Sequence, residues 1–198
     1  KIMEVRKARV IRRTYETQVE VDINLDGTGT YNIETGIGFF NHMLSLFSKH
    51  SLIDLNVQSK GDLDVDCHHT VEDTGIVIGQ CIKSALGGKK GIKRYGTAFV
   101  PMDEALCQVS IDISGRPFLV FDADFPSQKL GDFDTETTED FFRALAFNAG
   151  ITLHAKVLYG RNTHHMIEGL VKALGRALME ACTIDERIKG VMSTKGAL

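Results

Sequence analysis

Two short stretches hold side chains whose types and spacing can do chemistry: CHHTVED at residues 67–73 and THHMIEG at residues 163–169. Each contains H-H-x-x-E, and the first histidines, at 68 and 164, lie 96 residues apart (164 − 68), close to half of the 198-residue chain. Imidazole suits Zn, Cu, Fe, Ni and Mn, and added carboxylate shifts the choice toward Mn or Fe. On a helix, residues three and four apart share a face, which sets Glu72 over His68 and His69, and Glu168 over His164 and His165. Adjacent histidines diverge by about 100° at 3.6 residues per turn, so the two members of a pair are expected to serve different metals. One such motif standing alone is more often surface or capping chemistry than a metal site. Two copies at duplicated positions are much harder to obtain by chance.

The duplication reaches further. His42 lies 26 residues before the first pair (68 − 42) and Asp140 lies 24 before the second (164 − 140), each on an expected helix of its own half. His42, His68, His69, Glu72, Asp140, His164, His165 and Glu168 therefore form a candidate ligand set large enough for two nitrogen-and-oxygen sites. His50 and His154 have no duplicate, and His154, in a strand beside Leu153, is expected to be a satisfied structural residue. Cys67 is expected to stand beside the site without bonding to it.

The elements that must position these groups follow from periodicity. Residues 18–26, QVEVDINLD, alternate as a half-buried strand, Asp26-Gly27 marks a turn, and a strand at 30–33 is expected to complete a hairpin. A helix is expected over 38–50, a strand near 53–57, and a helix through TVEDTGIVIGQCIKSAL that ends at Gly87-Gly88. The second half repeats this: a strand at 107–113, FLVFDAD as its hairpin partner, a helix over 137–148, a strand at 152–158 and a long amphipathic helix bearing His164 and His165. The expectation is an α+β chain forming one domain from two pseudo-repeats, about 1–92 and 93–198, each a small sheet with helices on one face.

Composition narrows the function. With 43% hydrophobic and 25% charged residues and three prolines, the chain reads as an ordinary folded protein. A net charge of −3 gives no reason to expect nucleic acid, which is held mainly by clustered Lys and Arg. No run of about 18 apolar residues suggests a membrane partner, and the N-terminus lacks the apolar core of a signal peptide. Cys67, Cys81, Cys107 and Cys182 are scattered and fit a reducing compartment, so a cytoplasmic location is expected. Arg94 in IKRYG, Arg116 in SGRP, and Ser193, Thr194 and Lys195 in the tail are loop residues of the kind that hold a phosphate, although each alone is more often solvated surface. Glu16 in TYET and Asp103-Glu104 in PMDEAL place carboxylates near strand ends.

Taken together, GFFNHML, HHTVED, PMDEAL, DISGRP, FFRALAFNAGITLH, NTHHMIE and STKG resemble the imidazoleglycerol-phosphate dehydratase family, in the family's order and across essentially the whole chain. The resemblance implies a ribosomal protein S5 domain 2-like fold, internally duplicated, in a homo-24-mer whose manganese sites are completed between subunits. It implies a monofunctional hydro-lyase that converts D-erythro-imidazoleglycerol phosphate to imidazole-acetol phosphate in L-histidine biosynthesis. Its two Mn(II) per active site would be held by His42, His69, Glu72 and His165, and by His68, His164, Glu168 and residue 140. The implied substrate set is Glu16, His42, His50, Arg94, Arg116, Ser193, Thr194 and Lys195, with the arginines, serine and lysine toward the phosphate. This chain departs from the family at Asp140, where His or Glu is common, and in the tail, where Met192 and Thr194 replace the proline and second serine of P-S-S-K-G.

The proton lost in this reaction is not beside a carbonyl, so the ring must supply the electrons. Two Mn(II) ions on its nitrogens would hold it as imidazolate, and Glu16, with Glu168 as alternative, is the expected acid/base group. Di-iron oxidases also combine carboxylates and histidines on helices, but in four-helix bundles rather than alternating strands and helices. A non-enzymatic module whose metals only join subunits would bind metal without turnover.

Overall fold

In the computed structural model, which describes residues 5–198, the first half runs β1 (Lys7–Arg13), β2 (Thr17–Asn24), β3 (Tyr31–Glu34), α1 (Gly38–Ser51), β4 (Asp54–Gly61) and α2 (His68–Leu86). The second runs β5 (Tyr95–Met102), β6 (Ala105–Asp112), β7 (Phe118–Asp122), a ribbon of β8 (Lys129–Leu130) and β9 (Phe133–Asp134), α3 (Thr137–Ala149), β10 (Thr152–Tyr159) and α4 (Thr163–Cys182). The ribbon apart, β-β-β-α-β-α occurs twice, and the sheet orders match: β1-β2-β4-β3 and β5-β6-β10-β7. Alternation makes the central strands. β2 buries Thr17, Val19, Val21 and Ile23 on one face, and β6 buries Ala105, Cys107, Val109 and Ile111.

Both expected hairpins pair differently. β3 runs parallel to β4, with Tyr31 opposite Leu55, and β7 runs parallel to β10, with Phe118 opposite Thr152. Parallel neighbours need a crossover, which α1 and α3 supply, and β4 and β10 then take the antiparallel place beside β2 and β6. The hairpins are β1 with β2 and β5 with β6. Their first strands, KARVIRR and YGTAFVPM, had not been expected. No side chain of β1 is fully buried, and Gly96 and Pro101 interrupt the pattern of β5.

The helices lie between the two sheets. α2 packs on β1 and β2, α4 on β5 and β6, and across the middle α2 meets α3 while α1 meets α4. Phe40, Phe47, Phe142, Leu145, Ile78 and Ile82 are fully buried there, each stabilising the fold by about 1.5–3 kcal/mol.

Both helix crossings require glycine. A Cβ on Gly79 would lie 2.7 Å from Leu145 O and 3.0 Å from Ala149 N, while one on Gly175 would lie 2.9 Å from Phe47 O and 3.1 Å from Ser51 N. Gly79 is 11 residues past His68 (79 − 68) and Gly175 is 11 past His164 (175 − 164). The residues they meet are five and nine past Asp140 (145 − 140, 149 − 140) and five and nine past His42 (47 − 42, 51 − 42). The same crossing, in the same register, therefore sets Asp140 beside the start of α2 and His42 beside the start of α4.

Because the obstructing atoms are backbone, Gly79→Ala or Gly175→Ala should destabilise the chain by about 1–3 kcal/mol in urea unfolding. An unchanged midpoint would show that the helices can part freely. A second expectation concerns Asp54, which ties the β2–β3 connection to β4 by accepting from Thr28 N, Thr30 N, Thr30 Oγ1 and Asn24 Nδ2. Burial would raise its pKa, but these hydrogen bonds outweigh that and hold it at about 2 against an ordinary 3.8. A depressed folded value contributes stability that is complete above the unfolded value and lost as pH falls through the folded one. The stability gap between wild type and Asp54→Asn should thus shrink as pH falls from about 5 to about 2, whereas a constant gap would contradict this account.

Candidate metal centre

The two H-H-x-x-E segments open α2 and α4, where the free N–H groups are capped. Asn162 Oδ1 accepts from His165 N at 3.2 Å, and Asp66 Oδ1 accepts from His68 N at 2.7 Å. The first histidine of each pair turns toward the neighbouring helix. His164 Nε2 lies 3.0 Å from Glu168 Oε2, and His42 Nε2 on α1 lies 3.5 Å from the same oxygen. One donor atom from each of the three lies within 4.8 Å of the others, a nitrogen-and-oxygen cluster of the kind that holds divalent cations. The Phe39 ring meets His164 edge-on at 5.1 Å and limits its rotation.

Glu168 is only 6% exposed, and its other oxygen, Oε1, accepts from Lys172 Nζ at 2.5 Å. Burial alone would raise its pKa. The Lys172 hydrogen bond and charge, followed by His164 and His42, outweigh burial and hold the carboxyl below its usual range. The carboxylate thus stays ionised with Oε2 directed at the histidines.

The counterpart on the other crossing is looser. His68 Nε2 lies 3.6 Å from Glu72 Oε2, and His68 Nδ1 lies 3.8 Å from Asp140 Oδ2. The two carboxylates face opposite nitrogens of one ring, so the group shares a patch but no common point within one chain.

The second histidine of each pair turns away, with ring planes at 83° to His68 and 78° to His164. Glu72 and Glu168 therefore meet only the i+4 histidine, not both as the shared-face argument expected. His69 Nδ1 lies 2.9 Å from Asp62 Oδ2 and 3.8 Å from Glu16 Oε2. His165 Nδ1 lies 2.7 Å from Glu104 Oε2. These hydrogen bonds raise the pKa of both imidazoles. Glu104 is held down to about 2 by His165 and by the N–H groups of Asn162 and Arg161. Asp62 was missed in the sequence and Glu104 carried no signal there, because loop folding rather than helical spacing brings each to its histidine.

The phosphate candidates gather elsewhere. Arg94, at φ 74°, pairs with Asp112 at 2.6 and 3.1 Å, and its Nη1 donates to Met192 O at 2.8 Å, drawing in the turn that holds Ser193, Thr194 and Lys195. The exposed Arg116 lies 3.8 Å from Asp112. Arg94 N bonds Ala181 O on α4, 17 residues past His164 (181 − 164), which is about 26 Å along the helix. His50, on the last turn of α1, has its pKa lowered by burial and then by Lys172 and Arg176. His154 faces outward from β10 and is exposed, contrary to expectation, because β10 turns alternate side chains away from the helices. Cys67 is buried and accepts from Asp134 N at 3.3 Å, and all four cysteines are free.

Known proteins resemble the chain over this whole arrangement. The family model described as imidazoleglycerol-phosphate dehydratase (IGPD) matches residues 35–178. An imidazoleglycerol-phosphate dehydratase of Clostridium acetobutylicum is 71% identical over 195 residues, spanning 98% of this chain and 99% of its own. One of Clostridium botulinum is 68% identical over 191 residues, spanning 96% and 97%. Among solved structures, that of the Staphylococcus aureus enzyme superposes with a TM-score of 0.83 at 45% identity over 90% of this chain and 99% of that one. IGPD from Pyrococcus furiosus superposes with a TM-score of 0.82 at 34% identity over 96% and 100%.

Glu168→Gln keeps the shape but removes the charge between His42 and His164. It should weaken divalent-cation binding, with Mn(II) as the probe, by at least about tenfold in equilibrium dialysis. Unchanged affinity would show that this group does not hold the ion.

Proposed function

The chain belongs to the imidazoleglycerol-phosphate dehydratase family, whose reaction is a dehydration in histidine biosynthesis, and from that premise we propose how it works. In this reading the substrate is D-erythro-imidazoleglycerol phosphate, the product imidazole-acetol phosphate, and the catalyst a homo-24-mer with two Mn(II) ions in each active site shared between subunits. One observation carries this reading: the eight candidate ligands fall into two patches of four. His42, His164, His165 and Glu168 gather around the start of α4, and His68, His69, Glu72 and Asp140 around the start of α2.

Each metal set implied by the family takes two ligands from each patch. His42 and His165 join His69 and Glu72, while His164 and Glu168 join His68 and Asp140. Apposing the α1/α4 patch of one subunit to the α2/α3 patch of another would complete both. The distance of about 26 Å between His164 and the Arg94 end of α4 supports the same conclusion, since it separates Arg94 from His164 of its own chain by more than the substrate's length.

Neutral imidazole and ionised carboxylate are a donor set that fits Mn(II). When bound, the two ions would supply positive charge at the substrate's ring nitrogens, so that the ring can release electrons toward the departing hydroxyl. The chain's own groups do the remainder. Arg94, Arg116, Ser193, Thr194 and Lys195 hold the phosphate through charge-assisted hydrogen bonds. Asp112 and the Met192 carbonyl fix Arg94 so that the tail closes beside it. His42 and His50 flank the substrate from α1.

We assign the proton transfer to Glu16 rather than Glu168. Glu16 sits in the β1–β2 turn, 3.8 Å from His69 Nδ1, and its carboxylate accepts no hydrogen bond among the described residues. Glu168 is engaged by Lys172, His164 and His42 at once and serves to hold position. Four free, buried thiols agree with a cytoplasmic location.

The test is turnover by chelator-stripped protein before and after Mn(II), with metal counted by mass spectrometry. The expected result is dehydration only with metal and two ions per chain. Metal binding without turnover by the assembled protein would mean that the ions merely join subunits.

A further inference from the structure

Two carboxylates outside the ligand set treat two histidines alike. Asp62, in the loop between β4 and α2, has its oxygens 2.9 and 3.2 Å from His69 Nδ1. Glu104, in the β5–β6 turn, has Oε2 2.7 Å from His165 Nδ1. A ring nitrogen that close to a carboxylate carries the proton, which leaves Nε2 as the nitrogen with a free lone pair. His165 Nε2 is 3.7 Å from Asp103 Oδ2, beyond hydrogen-bonding distance. The first histidine of each pair has a different environment and meets carboxylates on helices.

The two halves reach this result by different routes. The β1–β2 and β5–β6 turns close the first hairpin of each half, so Glu16 and Glu104 occupy corresponding turns. The loops before α2 and α4 also correspond. A Cβ on Gly61 would strike Thr70, two past His68 (70 − 68), at 2.1 Å, and one on Gly160 would strike Met166, two past His164 (166 − 164), at 2.7 Å. Asp62 therefore matches Arg161. In the second half that loop gives the carboxylate only main-chain donors, the N–H groups of Arg161 and Asn162 donating to Glu104 Oε1 at 3.0 and 2.7 Å. In the first half the loop provides the carboxylate itself, and the turn residue Glu16 stands back at 3.8 Å with its side chain 55% exposed.

We propose that Asp62 and Glu104 are positioning residues that fix the proton of His69 and His165 on Nδ1 and present Nε2 to the metal, and that Asp62, by taking this task, frees Glu16 for proton transfer. The ligation part rests on the assignment of His69 and His165 as metal ligands.

The experiment has two arms. In metal-free full-length protein at about pH 9, where imidazoles are neutral, solid-state 15N spectra of ring-labelled histidine report which nitrogen is protonated. His69→Asn and His165→Asn would assign the two signals. Both residues should carry the proton on Nδ1. Asp62→Ala and Glu104→Ala should each move one of them to Nε2, Asp62→Asn and Glu104→Gln should largely restore it, and Glu16→Gln should leave His69 unchanged.

In the second arm, Mn(II) affinity followed by the signal of the free ion should fall about 10–100-fold in the alanine variants and recover in the amide ones. Alanine variants that keep the wild-type spectra would overturn the positioning role, and a His69 signal displaced by Glu16→Gln would overturn the freeing of Glu16. Shifted spectra with affinity held within about twofold would overturn the ligation part alone. Wild-type protein that bound no Mn(II) would sink the metal assignment, and the first arm would still decide the positioning.

Discussion

Gly79 and Gly175 allow two pairs of helices to touch backbone to backbone, and the rest of the site depends on that approach. With no Cβ to hold them apart, α2 closes on Leu145 and Ala149 of α3, and α4 closes on Phe47 and Ser51 of α1. Because the register is the same in both halves, one crossing brings His42 to Glu168 and the other brings Asp140 to His68. The sheets outside need only carry these helices. Each does so with a central antiparallel strand pair whose buried faces look inward.

Electrostatics then divide each histidine pair. A turn of about 100° between neighbours points one ring at the adjoining helix and the other at a loop. Helix-facing rings share carboxylates, as at Glu168, whose charge is maintained by Lys172 despite burial. Loop-facing rings place Nδ1 against Asp62 and Glu104 at 2.9 and 2.7 Å. The two imidazoles of each pair, which would repel one another if protonated, are thereby turned apart, each beside its own carboxylate.

Much of this was legible in the residues, and the limits have physical causes. Helical periodicity carried His42, Asp140 and both H-H-x-x-E segments to the right elements, because spacing along a helix fixes which side chains share a face. The glycines 11 residues after His68 and His164 repeat the same spacing and were equally legible there. Strand partners were not available. Alternation records which face of a strand is buried but not which strand lies beside it, so β3 and β7 were given antiparallel neighbours in place of parallel ones. Asp62 escaped notice because its contact with His69 is made by a loop whose path no local pattern encodes. The proposed union of the two patches belongs to contacts between chains, and the family resemblance, not periodicity, pointed to it.

The most direct test of the shared site is to mix two inactive proteins. His42→Ala disables only the α1/α4 patch and His69→Ala only the α2/α3 patch, so each alone should be inactive. Dissociated together and reassembled with Mn(II) in equal amounts, random pairing should give about a quarter of the sites both patches intact and restore about a quarter of wild-type turnover. Reassembled mixtures that stay as inactive as either parent would show that every site is built within a single chain, and would contradict the account.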